Sequence, residues 1–369
     1  MKIGFDAKRT FFNRAGLGNY SRNVLNALSL YYPQHQYYLY SPRNKQQLYY
    51  PGSNQQVILP QNGWRKFPSL WRSFKIASLA KKHKLDIYHG LSHELPTGIQ
   101  HKSCKTVVTI HDLIFIRYPE FYRFIDRQIY FRKFKQACRN ADKVIAISEQ
   151  TKSDIQEFFH IEESKIEVIY QPIHQRFFNP ILEDDAQMVR CKYQLPIDFI
   201  LSVGTIERRK NLLSILEAMV TENLDYPLLV IGRPTSYMND VKAYIAKHPN
   251  LKVIFLHDIA DDELNAIYRM AKILIYPSVF EGFGLPVAEA LACGTPVITS
   301  NVSSMPEAGG DAAILIQPDS AEEIGLAMRH LLSDKDFYQQ KVEESKIQAQ
   351  QFTPAKAAKQ LIQLYKSIL

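Results

Sequence analysis

Two glutamates, Glu281 and Glu289, bracket a short glycine loop and the start of an apolar run in "VFEGFGLPVAEALACGTPVI". Carboxylates at such a place suit a hydroxyl-rich ligand, because each oxygen accepts hydrogen bonds from more than one O–H. "LPVAEALAC" reads as a helix, with Pro286 in its first turn and Gly294 and Pro296 ending it. Gly282, Phe283, Gly284 and Leu285 then form the helix entrance, where main-chain N–H groups point outward and the macrodipole favours an anion. A glutamate in a first helical turn is also favourable with no ligand at all, which explains Glu289 as well as a site does. Glu281, ahead of the glycines, has less structural reason to be there. The pair with its glycines points to an anionic, hydroxyl-bearing ligand.

A second cluster lies in "ILSVGTIERRKNLLSIL", where a strand ends at Gly204, Thr205 follows, and Arg208, Arg209 and Lys210 crowd the start of a helix. Cations there oppose the helix dipole, and a bound diphosphate would reverse that penalty. Pairing with Glu207 and solvent is the plainer account of the same charges. Lys210 is expected to be exposed. Gly16, Leu17 and Gly18 in "RAGLGNYSRNVL" open another helix and allow close ligand approach, although the spacing is not that of a GxGxxG fingerprint and a tight turn explains it equally. His111 follows the β-branched run "TVVTI", with Asp112 placed to orient it or to cap the next turn. His89 and His93 also follow a strand and read as lining.

These residues need elements to hold them. Six short apolar runs in the first half ("KIGFDA", "YYLYS", "VILP", "DIYHG", "TVVTI", "KVIAIS") and six in the second ("FILSVG", "PLLVIG", "KVIFL", "KILIYPS", "PVITS", "AAILI") read as strands. Amphipathic segments between them read as helices, which makes this an α/β chain with helix-covered parallel sheets. Twelve strands favour two doubly wound domains over one sheet, with a hinge in "YQPIHQRFFNP". In such sheets ligands bind beyond the carboxyl ends of the strands, and every candidate above sits at one.

Composition narrows the class. Hydrophobic residues make up 46% and charged ones 22% of 369, so the chain folds into sizeable cores. No segment has the length or apolarity of a membrane span, and "MKIGFDAKRT" enters a strand directly with no signal-peptide core. The four cysteines are far apart, as in a reduced cytoplasmic protein, and imply no zinc site. Residues 1–170 carry 26 Lys and Arg against 13 Asp and Glu, a net +13, whereas the remainder carries 19 against 24, a net −5. The basic half includes "WRKFPSLWRSFKIASLAKKHK" and "RYPEFYRFIDRQIYFRKFKQACR", which interleave aromatics with cations. Arg65, Lys66, Arg72 and Lys75 would face an anionic membrane surface. No nucleic-acid motif accompanies them, and a solvated basic face is the plain alternative.

Taken together, the Glu-x7-Glu block, "VGTIERRKN", "HDL", the early glycine loop and the final "QFTPAKAAKQLIQLYKSIL" resemble family 4 of the retaining, nucleotide-sugar glycosyltransferases (glycosyl transferases group 1). The resemblance implies a GT-B fold, two Rossmann-like domains facing across a cleft. An acceptor-binding domain would span residues 1–173 with a closing helix at 354–369, and a nucleotide-sugar domain residues 174–353. It implies that Glu289 holds ribose, that Glu281 holds the transferred sugar, and that the backbone from Gly282 to Leu285 contacts sugar and phosphate. Arg209 and Lys210 would neutralise the diphosphate, and His111 would reach the donor sugar. Many relatives have arginine where this chain has Thr205, so either Arg208 or Arg209 is left to make the second phosphate contact. The implied reaction moves a hexose, such as mannose or glucose, from a nucleoside-diphosphate sugar to a glycan or lipid-linked acceptor, in bacterial surface polysaccharide synthesis. It needs no cofactor and no catalytic metal, and the implied location is cytoplasmic, peripheral on the inner face of the membrane. A sugar-nucleotide epimerase on the same fold and a non-catalytic sugar-nucleotide-binding subunit are the rival readings. A dehydrogenase is disfavoured because neither half has a proper GxGxxG.

Overall fold

The computed structural model describes residues 1–43, 48–101 and 104–369, and the chain divides into two compact units. The first comprises Met1–Pro172 and Phe352–Leu369, and the second Ile173–Gln351.

In the first unit seven strands form one sheet in the order β3-β2-β1-β4-β5-β6-β7. They are β1 (Lys2–Asp6), β2 (Gln36–Tyr40), β3 (Gln55–Ile58), β4 (Ile87–Gly90), β5 (Lys105–Ile110), β6 (Lys143–Ala146) and β7 (Ile166–Val168). Every pairing is parallel. β-branched residues dominate β5, where Val107, Val108 and Ile110 are fully buried, as expected of a strand covered on both faces. On one face Val108, Ile110, Val144 and Ala146 pack with Cys138, Ile155 and Phe159. The Gly16–Tyr31 helix buries Tyr20, Val24, Leu25 and Leu28, and against it packs the Pro354–Ser367 helix, which buries Ala358, Leu361, Ile362 and Tyr365.

The second unit has six parallel strands ordered β10-β9-β8-β11-β12-β13. These are β8 (Ile200–Val203), β9 (Leu228–Ile231), β10 (Val253–Leu256), β11 (Ile273–Tyr276), β12 (Val297–Ser300) and β13 (Ala313–Ile316). Ile200, Leu228, Val230, Ile273, Ile275 and Ile298 form the core with Leu216, Met219, Ile324 and Met328 from the covering helices.

Both sheets are doubly wound. The strand order reverses between β1 and β4 in one unit and between β8 and β11 in the other. Loops leaving such a pair diverge to opposite faces and open a crevice at the carboxyl edge. The twelve predicted strands are all present, and β7 is additional. It is a three-residue edge strand in which an exposed Glu167 separates its two apolar residues. That is too short for a periodicity to show.

Candidate active site

The Glu281 cluster occupies the crevice of the second unit. β8 runs into Gly204, whose φ of +141° is strained for any residue with a Cβ. Arg208–Lys210 then form a single 3₁₀ turn, Asn211 takes a left-handed conformation, and the Leu212–Thr221 helix begins. β11 leads through Pro277 to Glu281, and Gly284, with φ +99°, caps the Leu285–Ala292 helix. Because β8 and β11 are paired, residues 71 positions apart meet at their ends.

Four donors converge on Oε1 of Glu281. Lys210 Nζ donates to it, Arg209 Nη1 lies at 2.5 Å, Ser278 Oγ donates at 2.6 Å and Tyr276 OH at 3.0 Å. Lys210 also donates to the Tyr276 hydroxyl, with its ammonium over that ring. The main chain of Glu281 is pinned as well: its carbonyl accepts from Ser303 Oγ at 2.6 Å and from Ser304 Oγ at 2.9 Å. Burial would push the Glu281 carboxyl up, but Lys210 and Arg209 outweigh it and hold the group at about 2. Burial lowers the Lys210 ammonium, with Glu281 opposing. Lys210 is thus only 16% exposed, contrary to the expectation of a solvent-facing side chain. It is packed against a strand end and neutralised by a carboxylate.

The neighbouring cations separate cleanly. Arg209 bonds Glu207 at 2.6 Å and the Phe280 carbonyl at 2.6 Å as well as Glu281, so it belongs to the cluster. Arg208 points away, 73% exposed, to Asp240 at 2.7 Å and over the Tyr237 ring. Pairing with Glu207 therefore accounts for part of Arg209 and none of Arg208. Thr205 is exposed beside Gly204, Phe283 is buried, and Gly282 and Leu285 are half-buried.

Glu289 does not sit in the first helical turn. It lies in the second turn of the Leu285–Ala292 helix, so the dipole does not explain it. Tyr268 OH donates to its Oε2 at 3.0 Å, and burial pushes its carboxyl up to about 8. The two glutamates are therefore opposite in state, one held ionised and the other held neutral near pH 7. Tyr268, Tyr276, Ser278, Ser303 and Ser304 escaped the sequence reading. Tyr276, Ser278, Ser303 and Ser304 lie at or just beyond the carboxyl ends of β11 and β12, and that position was the available signal.

In the first unit His111 follows β5 and is 4% exposed. Its Nε2 bonds the Leu91 carbonyl at 2.9 Å, which places the proton on that nitrogen. Burial, helped by Arg9, lowers it to about 4, so the ring is neutral. The Tyr20 ring meets it edge-on at 4.6 Å and the His93 ring lies at 5.0 Å. Asp112 accepts from Ile114 N at 3.2 Å, as a cap on the next turn would, and the Leu91 carbonyl holds the imidazole through Nε2. His89 is structural: Thr109 Oγ1 at 2.8 Å and Tyr365 OH at 2.6 Å occupy its two nitrogens. Gly16, Leu17 and Gly18 open their helix, but a short Lys8–Phe12 helix intervenes after β1. Gly18 is needed for internal packing, since a Cβ there would lie 1.8 Å from the Asn13 carbonyl oxygen.

The two basic, aromatic segments meet at one carboxylate, Glu94. Arg72 bonds Glu94 at 2.6 Å, and Lys133 lies 3.5 Å from the same carboxylate. Within the same two segments Phe67, Leu70, Phe74, Phe124 and Ile125 are between 50% and 71% exposed. Arg72 is not a surface cation, being held also by buried Asp6 at 2.7 Å, and Trp71 is buried. Among the described residues no helix is long and apolar enough to cross a membrane, and no group of three His, Cys, Asp or Glu forms a metal-binding set.

Comparison with known proteins places these parts in a family. Residues 195–348 match the model "Glycosyl transferases group 1", and residues 15–176 match "Glycosyltransferase Family 4". The chain is 29% identical over 316 residues to the O-antigen chain mannosyltransferase B of Escherichia coli, covering 82% of this chain and 81% of that one. It is 28% identical over 332 residues to the serotype-specific mannosyltransferase WbdA of Escherichia coli, spanning 84% of this chain but only 40% of that longer protein. The sucrose-phosphate synthase of Thermosynechococcus elongatus shares the fold over 100% of this chain and 99% of its own, with a TM-score of 0.78 at 21% identity. The matched models, the relatives and the two doubly wound units together make this chain a member of the group 1 glycosyltransferases, with the GT-B fold.

Proposed function

We propose that this enzyme transfers a hexose, mannose in the first instance, from a nucleoside-diphosphate sugar to a glycan or lipid-linked acceptor, with retention of configuration, in the assembly of a bacterial surface polysaccharide. The O-antigen mannosyltransferase among its relatives supports the sugar and the setting. The observation that carries the chemistry is the meeting of Lys210, Arg209 and Glu281 at the crevice of the second sheet.

Departure of a nucleoside diphosphate builds negative charge on its phosphate oxygens. Lys210 and Arg209 are fixed, part-buried cations, and such groups stabilise growing charge with little reorganisation. The Leu285–Ala292 helix start adds a favourable dipole. Glu281 is ionised in the resting protein and accepts sugar hydroxyls, while Glu289 takes the ribose hydroxyls. His111, neutral and donating from Nε2 to a carbonyl, serves the donor sugar by hydrogen bonding and not as a cation. Same-face attack by the acceptor, with the leaving phosphate assisting removal of its proton, is the route assigned to retention. Gly204, Thr205 and the backbone from Gly282 to Leu285 line the donor; Arg208 is assigned no phosphate contact, because it is turned to Asp240.

The acceptor is assigned to the first unit, whose exposed apolar and basic side suits a peripheral position on an anionic membrane. To test the reading, UDP-, GDP- and ADP-hexoses are screened for thermal stabilisation and the best donor is then supplied radiolabelled with a membrane fraction. A GDP-mannose shift with label moving into glycan or lipid is the expected result. Stabilisation without transfer to any acceptor would overturn it.

A further inference from the structure

A cationic pocket lies in the first unit beside the Arg72 pairing with Asp6 and Glu94. It has a volume of about 230 Å³ and is lined by Lys8, Arg43 and Arg72 on its polar side and by Phe12, Pro42 and Pro68 on its apolar side. Lys8 follows β1 and Arg43 follows β2, adjacent strands of the sheet, so the pocket opens at their carboxyl ends. The charge of Arg72 is already met, by Asp6 and Glu94. Lys8 and Arg43 make no ion pair among the described residues. Lys8 feels the imbalance: burial, then Arg72 and Arg9, lower its ammonium and outweigh Asp6 and Glu94. Two cations that no described carboxylate pairs thus line the pocket, and a bound anion would supply their partner.

The rim says what the anion is attached to. Pro68 lies between the exposed Phe67 at 57% and, two residues on, Leu70 at 50%. An apolar group attached to an anion seated against Lys8 and Arg43 would find that exposed segment beside it. We propose that this pocket binds the phosphate of the lipid-linked acceptor, with Lys8 and Arg43 contacting the phosphate and Phe67 and Leu70 flanking the first part of the chain. The proposal rests on the acceptor reading given above and adds its anchoring point.

The test uses the full chain with its donor site filled by a saturating nucleoside diphosphate, titrated with decyl phosphate, decanol and inorganic phosphate. Wild type should bind decyl phosphate at least about tenfold more tightly than either fragment, and K8Q/R43Q should lose about tenfold of that affinity. Inorganic phosphate binding as tightly as decyl phosphate would make this a free-phosphate site and overturn the lipid assignment. Equal decyl phosphate binding by wild type and variant, or none by wild type, would overturn the pocket. A melting temperature matching wild type qualifies the variant, and K8R/R43K, which keeps both charges, should keep the affinity. Transfer of radiolabelled sugar into solvent-extractable lipid then separates the two readings. Wild-type product found only in water refutes the lipid-linked acceptor, whereas equal lipid product from wild type and K8Q/R43Q refutes the pocket alone.

Discussion

Glu281 and Glu289 illustrate how one residue type takes two charge states once its surroundings differ. Lys210 is part-buried and paired, so Lys210→Ala leaves the Glu281 charge with one cation fewer. Transfer per folded molecule should fall at least about tenfold, and stability by about 2 kcal/mol. Thermal melts alongside turnover check both, and an unchanged melting temperature would contradict the pairing. For Glu289 the sign runs the other way. Its folded-state carboxyl is raised to about 8 from an ordinary 4.5, so the unfolded chain ionises first and stability falls as pH climbs between those values. Glu289→Gln mimics the neutral acid, and its melting temperature should gain on wild type across that interval. Hydroxyl donors favour the ionised form, so wild-type affinity for nucleoside diphosphate should rise with pH up to about 8 and the variant's should stay flat. Both glutamates and Lys210 were legible because their spacing, and their resemblance to a known family, survive in one dimension. Their partners were not: Tyr268 reaches Glu289, and Ser303 reaches Glu281, across 21 and 22 residues, through contacts that only the fold creates.

At the scale of elements, the ends of β8 and β11 set the proposed donor crevice, and the end of β8 is held in turn against β9, backbone on backbone. A Cβ on Gly232, at the end of β9, would fall 1.8 Å from the Gly204 carbonyl oxygen at the end of β8. Gly232→Ala must therefore push the Gly204 loop, and Lys210 with it, out of place. Donor affinity should drop by about tenfold, since such a displacement costs about 1–3 kcal/mol, although no ligand atom is assigned to Gly232. Nucleotide titration of the variant checks this, and wild-type affinity would show that the loop moves independently. The alternation of strands and helices was readable from apolar runs bounded by glycine and proline, and the two-sheet architecture followed. The strand order was not, because β8 reaches β11 past two intervening strands and no local pattern records which neighbour a strand will take. The edge strand β7 was too short to announce itself.

Across the whole molecule, charge divides as the chain does. The net +13 of residues 1–170 falls within the unit whose exposed Phe67, Phe74 and Phe124 stand among cations. Salt-sensitive sedimentation with anionic vesicles is expected, with little on neutral ones. Each surface Lys or Arg contributes about 1 kcal/mol to it. Reversing Arg65, Lys66 and Lys75 to glutamate should weaken binding and leave donor affinity intact. Arg72 must be kept, because its reversal would break the pairing with Asp6 and test folding instead. The sequence showed the asymmetry of charge but not which cations were already spent.

The first unit is assembled from the two ends of the chain, and this has a consequence for its birth. Tyr365 supplies the hydroxyl that satisfies His89, and its helix, in which Leu361 and Ile362 are buried, packs on the Gly16–Tyr31 helix. A ribosome delivers residues in order, so the unit begun first is the one completed last. Until Pro354–Ser367 emerges, an apolar groove stays open on the nascent chain, while Ile173–Gln351 already has every strand of its own sheet. Chains arrested before residue 354 should hold a protease-resistant second unit beside a first unit that is rapidly digested. Supplying the missing helix as a separate peptide should restore its protection.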